Sequence, residues 1–142
     1  MSIFVDTSAV LSVLIDTDEF HAQASETWRR LLDGAEPLVT TNYTVVEFCS
    51  LAQRRLGVEA VRFIRTTIVP VLNVEWVDPL THDEAVEAVL TAHRRDLSIV
   101  DCASFITMRR SGITSAFTFD SHFAEQGFDL LPGAGLLPSA SP

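Results

Sequence analysis

Four carboxylates in this 142-residue sequence stand inside or directly after apolar segments, where an ionised side chain is costly to bury. They are Asp6, Glu47, Asp101 and Asp120. Asp6 ends the apolar run 3–5 and Asp120 ends the run 116–119, whereas Glu47 and Asp101 lie within apolar stretches. A buried carboxylate costs several kcal/mol unless a cation compensates its charge. The four acids therefore indicate a site that binds a cation.

The chain's own basic residues are poorly placed to compensate these acids. All ten are arginines, and nearly all fall at predicted helix ends or on polar helix faces. A carboxylate cluster favours a hard divalent cation with oxygen ligands, Mg²⁺ or Mn²⁺. Zinc is not favoured, because none of the four histidines stands at ligand spacing from a cysteine or another histidine. These histidines are His21, His82, His93 and His122.

Each acid also has a structural explanation that needs no cation. Asp6 and Asp120 precede predicted helices, so either could be a helix N-cap, and Asp120 could also be a turn residue. Glu47 would be an exposed helical residue if the buried face of its helix were a different one from the face predicted. Asp101 is the hardest to explain structurally, since apolar residues flank it on both sides. Asp96 lies near Asp101 in a polar loop. It is a candidate only for a residue that supports the metal ligands without binding the metal itself.

The elements that must position these acids alternate between short apolar strands and amphipathic helices. The pattern predicts strands at about 3–5, 38–40, 71–77, 115–119 and 128–131. It predicts helices at about 9–15, 18–33, 42–55, 58–68, 81–93, 98–110 and 121–125, with Gly57 ending the third and a capping box at 81–84 opening the fifth. This alternation indicates an α/β domain with a mainly parallel sheet. Functional residues of such sheets gather at the carboxyl ends of the strands.

Composition limits the classes of protein to which the chain can belong. Hydrophobic residues make up 47% of it, which argues against disorder. No apolar run approaches the roughly 18 residues of a membrane span, and no signal peptide is evident, so we expect a cytoplasmic protein without a membrane partner. Cys49 and Cys102 sit in apolar stretches and are interpreted as buried, reduced thiols. Residues 1–131 are predicted to form one domain, and residues 132–142 a flexible tail.

The charge balance excludes further activities. The absence of lysine rules out the lysine of a phosphate-binding loop, Schiff-base catalysis and the lysine of a phospho-receiver. A net charge of −9 repels nucleic acid unless basic residues gather on one face or metal ions cover the carboxylates.

Four pieces of the sequence resemble PIN domains. They are residues 3–9, the helical Glu47, residues 97–104 and residues 117–123. Their order and spacing are similar to those of the VapC-type toxins of bacterial toxin–antitoxin systems, and the resemblance covers residues 1–131. It implies a three-layer α/β/α sandwich whose carboxylates hold Mg²⁺, or Mn²⁺ in its place, and cleave RNA to leave a 5′-phosphate and a 3′-hydroxyl.

The resemblance also assigns roles to individual residues. It makes Asp6 and Asp101 the principal metal ligands, with Glu47 and Asp120 completing the acidic site. Hydroxyls around the site would come from Thr7, Ser8 and Thr118. Some PIN domains carry a further acid shortly after the last motif aspartate, and residues 121–123 supply none here. A toxin of this family is typically a homodimer, inhibited by a cognate VapB-type antitoxin whose C-terminal segment obstructs the site.

The chemistry of phosphodiester hydrolysis agrees with the acidic site. The reaction needs a nucleophilic water and neutralisation of charge on the phosphorane, which oxygen-ligated metals supply. The candidates for phosphate contacts are Arg54, Arg55, Arg62, Arg65, Arg94 and Arg95. Solvated helix faces or antitoxin contacts explain each of them equally well.

Four other functions are weighed from the sequence. One is a PIN-type nuclease of RNA processing that has no antitoxin. Another is a Mg²⁺-binding receiver domain, against which the absence of lysine and of a second acid beside Asp6 argue. A haloacid-type phosphatase would require an aspartate where Ser8 stands. A binding module with a relict site is disfavoured, because all four acids are present.

Overall fold

A computed structural model describes residues 1–133 of the chain. The flexible tail predicted at 132–142 lies outside the described residues from position 134 onward. Within the described part, no helix is long and apolar enough to cross a membrane. Both cysteines are free, with Cys102 buried and Cys49 partly buried.

The core of the protein is a five-stranded sheet in which all neighbouring strands are parallel. The strands are β1 (Ile3–Val5), β2 (Leu38–Thr41), β3 (Asn73–Glu75), β4 (Ser115–Phe117) and β5 (Asp129–Leu131). They are arranged in the order β3-β2-β1-β4-β5, so β1 is central and is buried along its whole length. The parallel α/β architecture predicted from the alternating pattern is confirmed.

Within residues 1–133, seven α-helices cover the two faces of the sheet. They are α1 (Thr7–Leu14), α2 (His21–Asp33), α3 (Asn42–Leu56), α4 (Val58–Phe63), α5 (Pro79–Ala92), α6 (Ile99–Arg110) and α7 (His122–Glu125). One core cluster joins Ile3 and Val5 to helices α1, α2 and α3. A second cluster joins Phe4, which points to the opposite face, to helices α5, α6 and α7. The result is the three-layer α/β/α sandwich that the resemblance implied.

The segment after α3 differs from its predicted structure. Gly57, at φ +96°, ends α3 as predicted, but the helix predicted at 58–68 continues past α4 as a π-helical turn at Ile64–Ile68. Ile64 and Ile68 are both buried in the same core cluster. A 3₁₀ turn containing Pro70 follows at Val69–Val71, so the strand predicted at 71–77 shortens to β3. Proline ends the helix there because it lacks an amide donor.

Helix α5 begins two residues earlier than predicted, and the capping box predicted at 81–84 is wrong. Asp78 is the N-cap, and its side chain accepts a hydrogen bond of 2.8 Å from the backbone N–H of Thr81. Pro79 occupies the first helical position, where a missing amide costs nothing. Asp78 and Thr81 could each cap this helix, and Pro79 favours Asp78.

The strand order creates one point on the sheet edge at which side chains from distant parts of the chain can meet. Strands β2 and β3 lie on one side of β1, and strands β4 and β5 lie on its other side. The carboxyl ends of β1 and β4 therefore lie side by side where the strand order reverses. Ligands of open α/β sheets bind at such a switch point. Asp6 follows β1 directly, and Asp120 lies three residues beyond the end of β4.

Candidate active site

Asp6 lies at this switch point and is buried, with only 4% of its surface exposed. It is the N-cap of α1, which confirms the capping role considered for it, and its Oδ2 accepts a long 3.4 Å hydrogen bond from the backbone N–H of Ser8. The same oxygen accepts hydrogen bonds from Ser8 Oγ at 2.9 Å and Thr118 Oγ1 at 2.8 Å. These hydroxyls hold the carboxylate in one orientation.

Burial raises the pKa of Asp6 from its ordinary 3.8 to about 6. The hydrogen bonds from Thr118 and Ser8 oppose this shift, and repulsion from Asp101 and Asp120 adds to it. A raised carboxyl pKa means that the folded protein lacks a nearby positive charge to stabilise the ionised form.

Thr118 connects Asp6 to the segment that carries Asp120. Its side chain is fully buried, and its Oγ1 accepts a hydrogen bond of 3.0 Å from the backbone N–H of Asp120. Ser8 Oγ accepts a second hydrogen bond, of 2.9 Å, from the backbone N–H of Phe119. The chain beyond β4 is thus tied to the start of α1 through hydroxyl groups.

Thr118→Val should lower the free energy of unfolding by about 1–3 kcal/mol, because it removes a buried donor and a buried acceptor without changing shape. The lost hydrogen bond stabilises the ionised form of Asp6, so the destabilisation should be larger at pH 7.5 than at pH 5. Denaturant unfolding at the two pH values measures this difference. The exposed Thr67→Val is the control, and an equal loss at both pH values would contradict the prediction.

Asp101 enters the site from the first turn of α6. Ser98 caps this helix: Ser98 Oγ accepts from the backbone N–H of Asp101 at 3.0 Å, and Asp101 Oδ2 accepts from the backbone N–H of Ser98 at 3.1 Å. This reciprocal capping box fixes the Asp101 carboxylate relative to the helix end. Burial raises the pKa of Asp101, the capping hydrogen bonds oppose the shift, and the charge of Asp120 adds to it.

Ser98→Ala should lower the free energy of unfolding by about 1 kcal/mol, since the N-cap hydroxyl is lost. It should also loosen the first turn of α6, leaving the Asp101 carboxylate held only by the backbone N–H of residue 98, and so weaken divalent-cation binding. Thermal unfolding with and without Mg²⁺ measures both effects. Ser50→Ala, an exposed change in the middle of α3, should leave both unchanged, and an undiminished Mg²⁺ response in Ser98→Ala would refute the positioning role.

Glu47 lies on α3 and faces the site rather than the solvent. Thr7 Oγ1 donates a hydrogen bond of 2.5 Å to Glu47 Oε1, joining residues 40 positions apart in the sequence. Burial raises the pKa of Glu47, Thr7 opposes this shift, and repulsion from Asp101 and Asp120 adds to it.

The four predicted acids converge, but not equally closely. Potential ligand atoms of Asp101, Asp120 and His122 all lie within 4.8 Å of one another. Asp6 and Glu47 do not belong to this tight group, although each is subject to the charges of Asp101 and Asp120.

His122 is the member of the site that the sequence analysis missed. Its Nδ1 lies 2.8 Å from Asp120 Oδ1, an oxygen that also accepts the backbone N–H of His122 at 2.9 Å, and its Nε2 lies 3.1 Å from Asp96 Oδ2. The close Nδ1–Oδ1 approach is not aligned as a hydrogen bond. The only local signal is that His122 stands two residues after Asp120, at the start of a short helix.

No arginine within residues 1–133 forms an ion pair with any of the four predicted acids. Arg94, a candidate for phosphate contacts, is instead bound to Asp96 and Glu125. Arg62 is paired with Glu59 on its own helix. Apart from His122 beside Asp120, the described residues bring no basic side chain into contact with the four acids, and their oxygen donors fit a hard divalent cation.

Comparison with known proteins identifies the family. The family model of the PIN domain matches residues 3–129. The chain is 34% identical over 128 residues to the 23S rRNA-specific endonuclease VapC20 of Mycobacterium tuberculosis, covering 89% of this chain and 95% of that protein.

Solved structures show the same relationship. The crystal structure of Mycobacterium tuberculosis VapC20, described as a sarcin–ricin loop cleaving toxin, matches with a TM-score of 0.77 and 33% identity, covering 89% of this chain and 96% of that one. FitAcB from Neisseria gonorrhoeae matches with a TM-score of 0.62 over 90% of this chain and 95% of its own, but at 15% identity it shares only the fold. The strand order, the convergent acids and these matches agree: the chain belongs to the PIN-domain family.

Proposed function

We propose that this chain is a metal-dependent endoribonuclease and the toxin of a toxin–antitoxin pair. The observation that carries the proposal is the convergence of four carboxylates, none of them paired with an arginine among the described residues, at the switch point of a PIN fold. The similarity to VapC20, which extends over most of both chains, supports the same activity. The proposed nuclease unit is the domain at 1–131.

The proposed metal is Mg²⁺, for which Mn²⁺ can substitute. Asp6 and Asp101 would be its principal ligands, with Glu47 and Asp120 completing the site. The raised pKa values of Asp6, Glu47 and Asp101 support this assignment, because burial raises each pKa by more than the neighbouring hydrogen bonds and charges lower it, and a bound cation would stabilise the ionised carboxylates. A divalent cation bound there would activate a water and offset the negative charge that develops on the phosphorane.

The chain's own residues prepare the site for that cation. Ser8 and Thr118 hold Asp6 from one side, Thr7 holds Glu47, and the cap of α6 holds Asp101. Each of these three acids is thereby oriented before metal or substrate arrives, which reduces the reorganisation that binding requires. Without metal, the same carboxylates repel a phosphodiester, so activity should depend steeply on metal concentration.

The proposed substrate is a structured RNA. VapC20 is named for 23S rRNA and its crystal structure for the sarcin–ricin loop, so this ribosomal loop is the first RNA to test, with tRNA as the second. A net charge of −9 disfavours non-specific RNA binding. Of the six arginines predicted to contact phosphates, four are exposed and form no ion pair with described residues: Arg54, Arg55, Arg65 and Arg95.

The proposed partners follow from the same assignment. A toxin that cleaves cytoplasmic RNA must be inhibited in the cell, and we propose a VapB-type antitoxin as that inhibitor. We further propose a homodimer of the 15.6 kDa chain in the cytoplasm. Co-expression with the neighbouring gene, followed by mass measurement in solution, tests both assignments.

Cleavage of end-labelled RNA tests the proposed activity. Purified protein is incubated with 23S rRNA, and separately with tRNA, in Mg²⁺, in Mn²⁺ and in EDTA. We expect discrete, metal-dependent cuts that leave a 5′-phosphate and a 3′-hydroxyl. Folded protein that binds the metal and leaves both RNAs intact would overturn the proposed substrate class.

A further inference from the structure

We propose that His122 is a direct ligand of the divalent cation, through Nδ1, beside Asp120 and Asp101. This inference deepens the proposed function and rests on it. It assigns a nitrogen donor to a site that the sequence alone describes as made of oxygen donors.

Nδ1 of His122 lies where a metal ligand would be expected. This atom is buried, forms no hydrogen bond with the described residues, and lies 2.8 Å from Asp120 Oδ1. A buried polar atom without a partner is uncommon and requires an explanation. Two donors bound to neighbouring positions of one octahedral cation are about 3 Å apart, given metal–ligand distances near 2.1 Å. Nδ1 and Asp120 Oδ1 already have that spacing.

The surroundings of the His122 ring select its tautomer. Nε2 lies 3.1 Å from Asp96 Oδ2, and Asp96 is held by Arg94 through contacts of 3.2 Å to Oδ1 and 3.0 Å to Oδ2. The carboxylate of Asp96 can only accept, so Nε2 must carry the proton. In the neutral ring the lone pair is then on Nδ1, the nitrogen that lies 2.8 Å from Asp120 Oδ1. Histidines that bind metals usually donate their other ring N–H to a carboxylate in this way.

The backbone that carries the His122 ring is fixed by its neighbour in the core. His122 begins α7, and its neighbour Phe123 is fully buried. Phe123 contacts Phe105 edge to face, with ring centroids 4.9 Å apart, and lies 6.2 Å from the ring of Phe4. The backbone that carries His122 is thus part of the core, and its imidazole is held in place before metal binds.

A nitrogen ligand makes a prediction about metal preference. Imidazole suits softer divalent ions than Mg²⁺, so His122 should strengthen binding of Mn²⁺ and Co²⁺ more than binding of Mg²⁺. Removing the ring should therefore lower the Mn²⁺-to-Mg²⁺ affinity ratio.

The test is pulsed electron paramagnetic resonance on Mn²⁺ bound to the full chain in the absence of RNA, combined with calorimetric titration of Mn²⁺ and Mg²⁺. We expect a directly coupled nitrogen in the wild-type protein that is lost in His122→Ala. That variant should bind Mn²⁺ about tenfold more weakly and Mg²⁺ less than about threefold more weakly. Asp96→Asn, which keeps the imidazole but removes its orienting carboxylate, should weaken Mn²⁺ binding in the same direction, by up to about tenfold.

Matched controls separate this role from charge and folding effects. Glu125→Gln removes a negative charge from the other partner of Arg94, and His93→Asn removes a different histidine; neither should change the nitrogen coupling. If His122→Ala does not fold, as judged by circular dichroism, His122→Asn provides the same comparison. Mn²⁺ that binds the wild type without a coupled nitrogen, or a nitrogen signal that persists without His122, would overturn the inference while leaving the proposed nuclease intact. A wild-type chain that binds no divalent ion would overturn both.

Discussion

Asp101→Asn is expected to lower RNA cleavage by about 10³-fold while the protein remains folded. The carboxylate is a proposed principal metal ligand, and metal contacts supply several kcal/mol of transition-state stabilisation. The asparagine retains a side-chain oxygen that can accept the backbone N–H of Ser98, so the capping box of α6 should survive. The cleavage rate of the ribosomal loop RNA, measured beside thermal unfolding, checks both parts.

The matched control for this variant is Asp83→Asn, which makes the same change of charge at an exposed position of α5. It should cleave at the wild-type rate. A folded Asp101→Asn protein that retains more than a tenth of the wild-type activity would contradict the role assigned to Asp101.

Asp6→Asn should have opposite effects on activity and on stability. Cleavage should fall to background, because the variant lacks the other proposed principal ligand. Without metal, however, the variant should be more stable than the wild type at pH 7.5 by up to about 3 kcal/mol. This figure corresponds to the rise of the Asp6 pKa from 3.8 to about 6 on folding.

The sign of this effect follows from proton binding. Between pH 3.8 and about 6 the folded protein binds the Asp6 proton more tightly than the unfolded chain does. The free energy of unfolding therefore falls as pH rises through this window and levels off above it. Glu47 and Asp101 have raised pKa values and act in the same direction. The asparagine variant should lack the part of this slope that Asp6 contributes.

Denaturant unfolding of wild type and Asp6→Asn from pH 4 to pH 8, with EDTA and then with Mg²⁺, measures these differences. Mg²⁺ should stabilise the wild type and have little effect on the variant, because the ion provides the positive charge that the buried carboxylate lacks. An intact variant that is less stable than the wild type at pH 7.5 in EDTA would show that the hydrogen bonds from Ser8 and Thr118 outweigh the cost of burying the charge.

Much of this site was predictable because burial and charge conflict within short stretches of sequence. Asp6 after an apolar strand and Asp101 between apolar residues of a helix are visible without a structure, since a charge in such a place needs a reason. The alternation of short strands with helices likewise predicted a parallel sheet. Both signals are local, and local patterning is what a single sequence displays.

Local signals also explain the errors. The helix predicted at 58–68 passes into a π-helical turn whose Ile64 and Ile68 are buried in a core built from distant residues, a change of winding that the local periodicity does not indicate. The capping box predicted at 81–84 had the right residue types but was preceded by Asp78 and Pro79, which open α5 earlier. In both places a tertiary or neighbouring preference outweighed a pattern of a few residues.

The sequence by itself determined which residues carry charge into the core and which strands end in them. Tertiary structure decided which of those residues meet. The placement of β4 beside β1 brings Thr118 to Asp6 across 112 positions, and the packing of α3 brings Glu47 to Thr7. His122 joined the site only in the fold, because the direction of an imidazole depends on long-range partners such as Asp96, which no sequence spacing records.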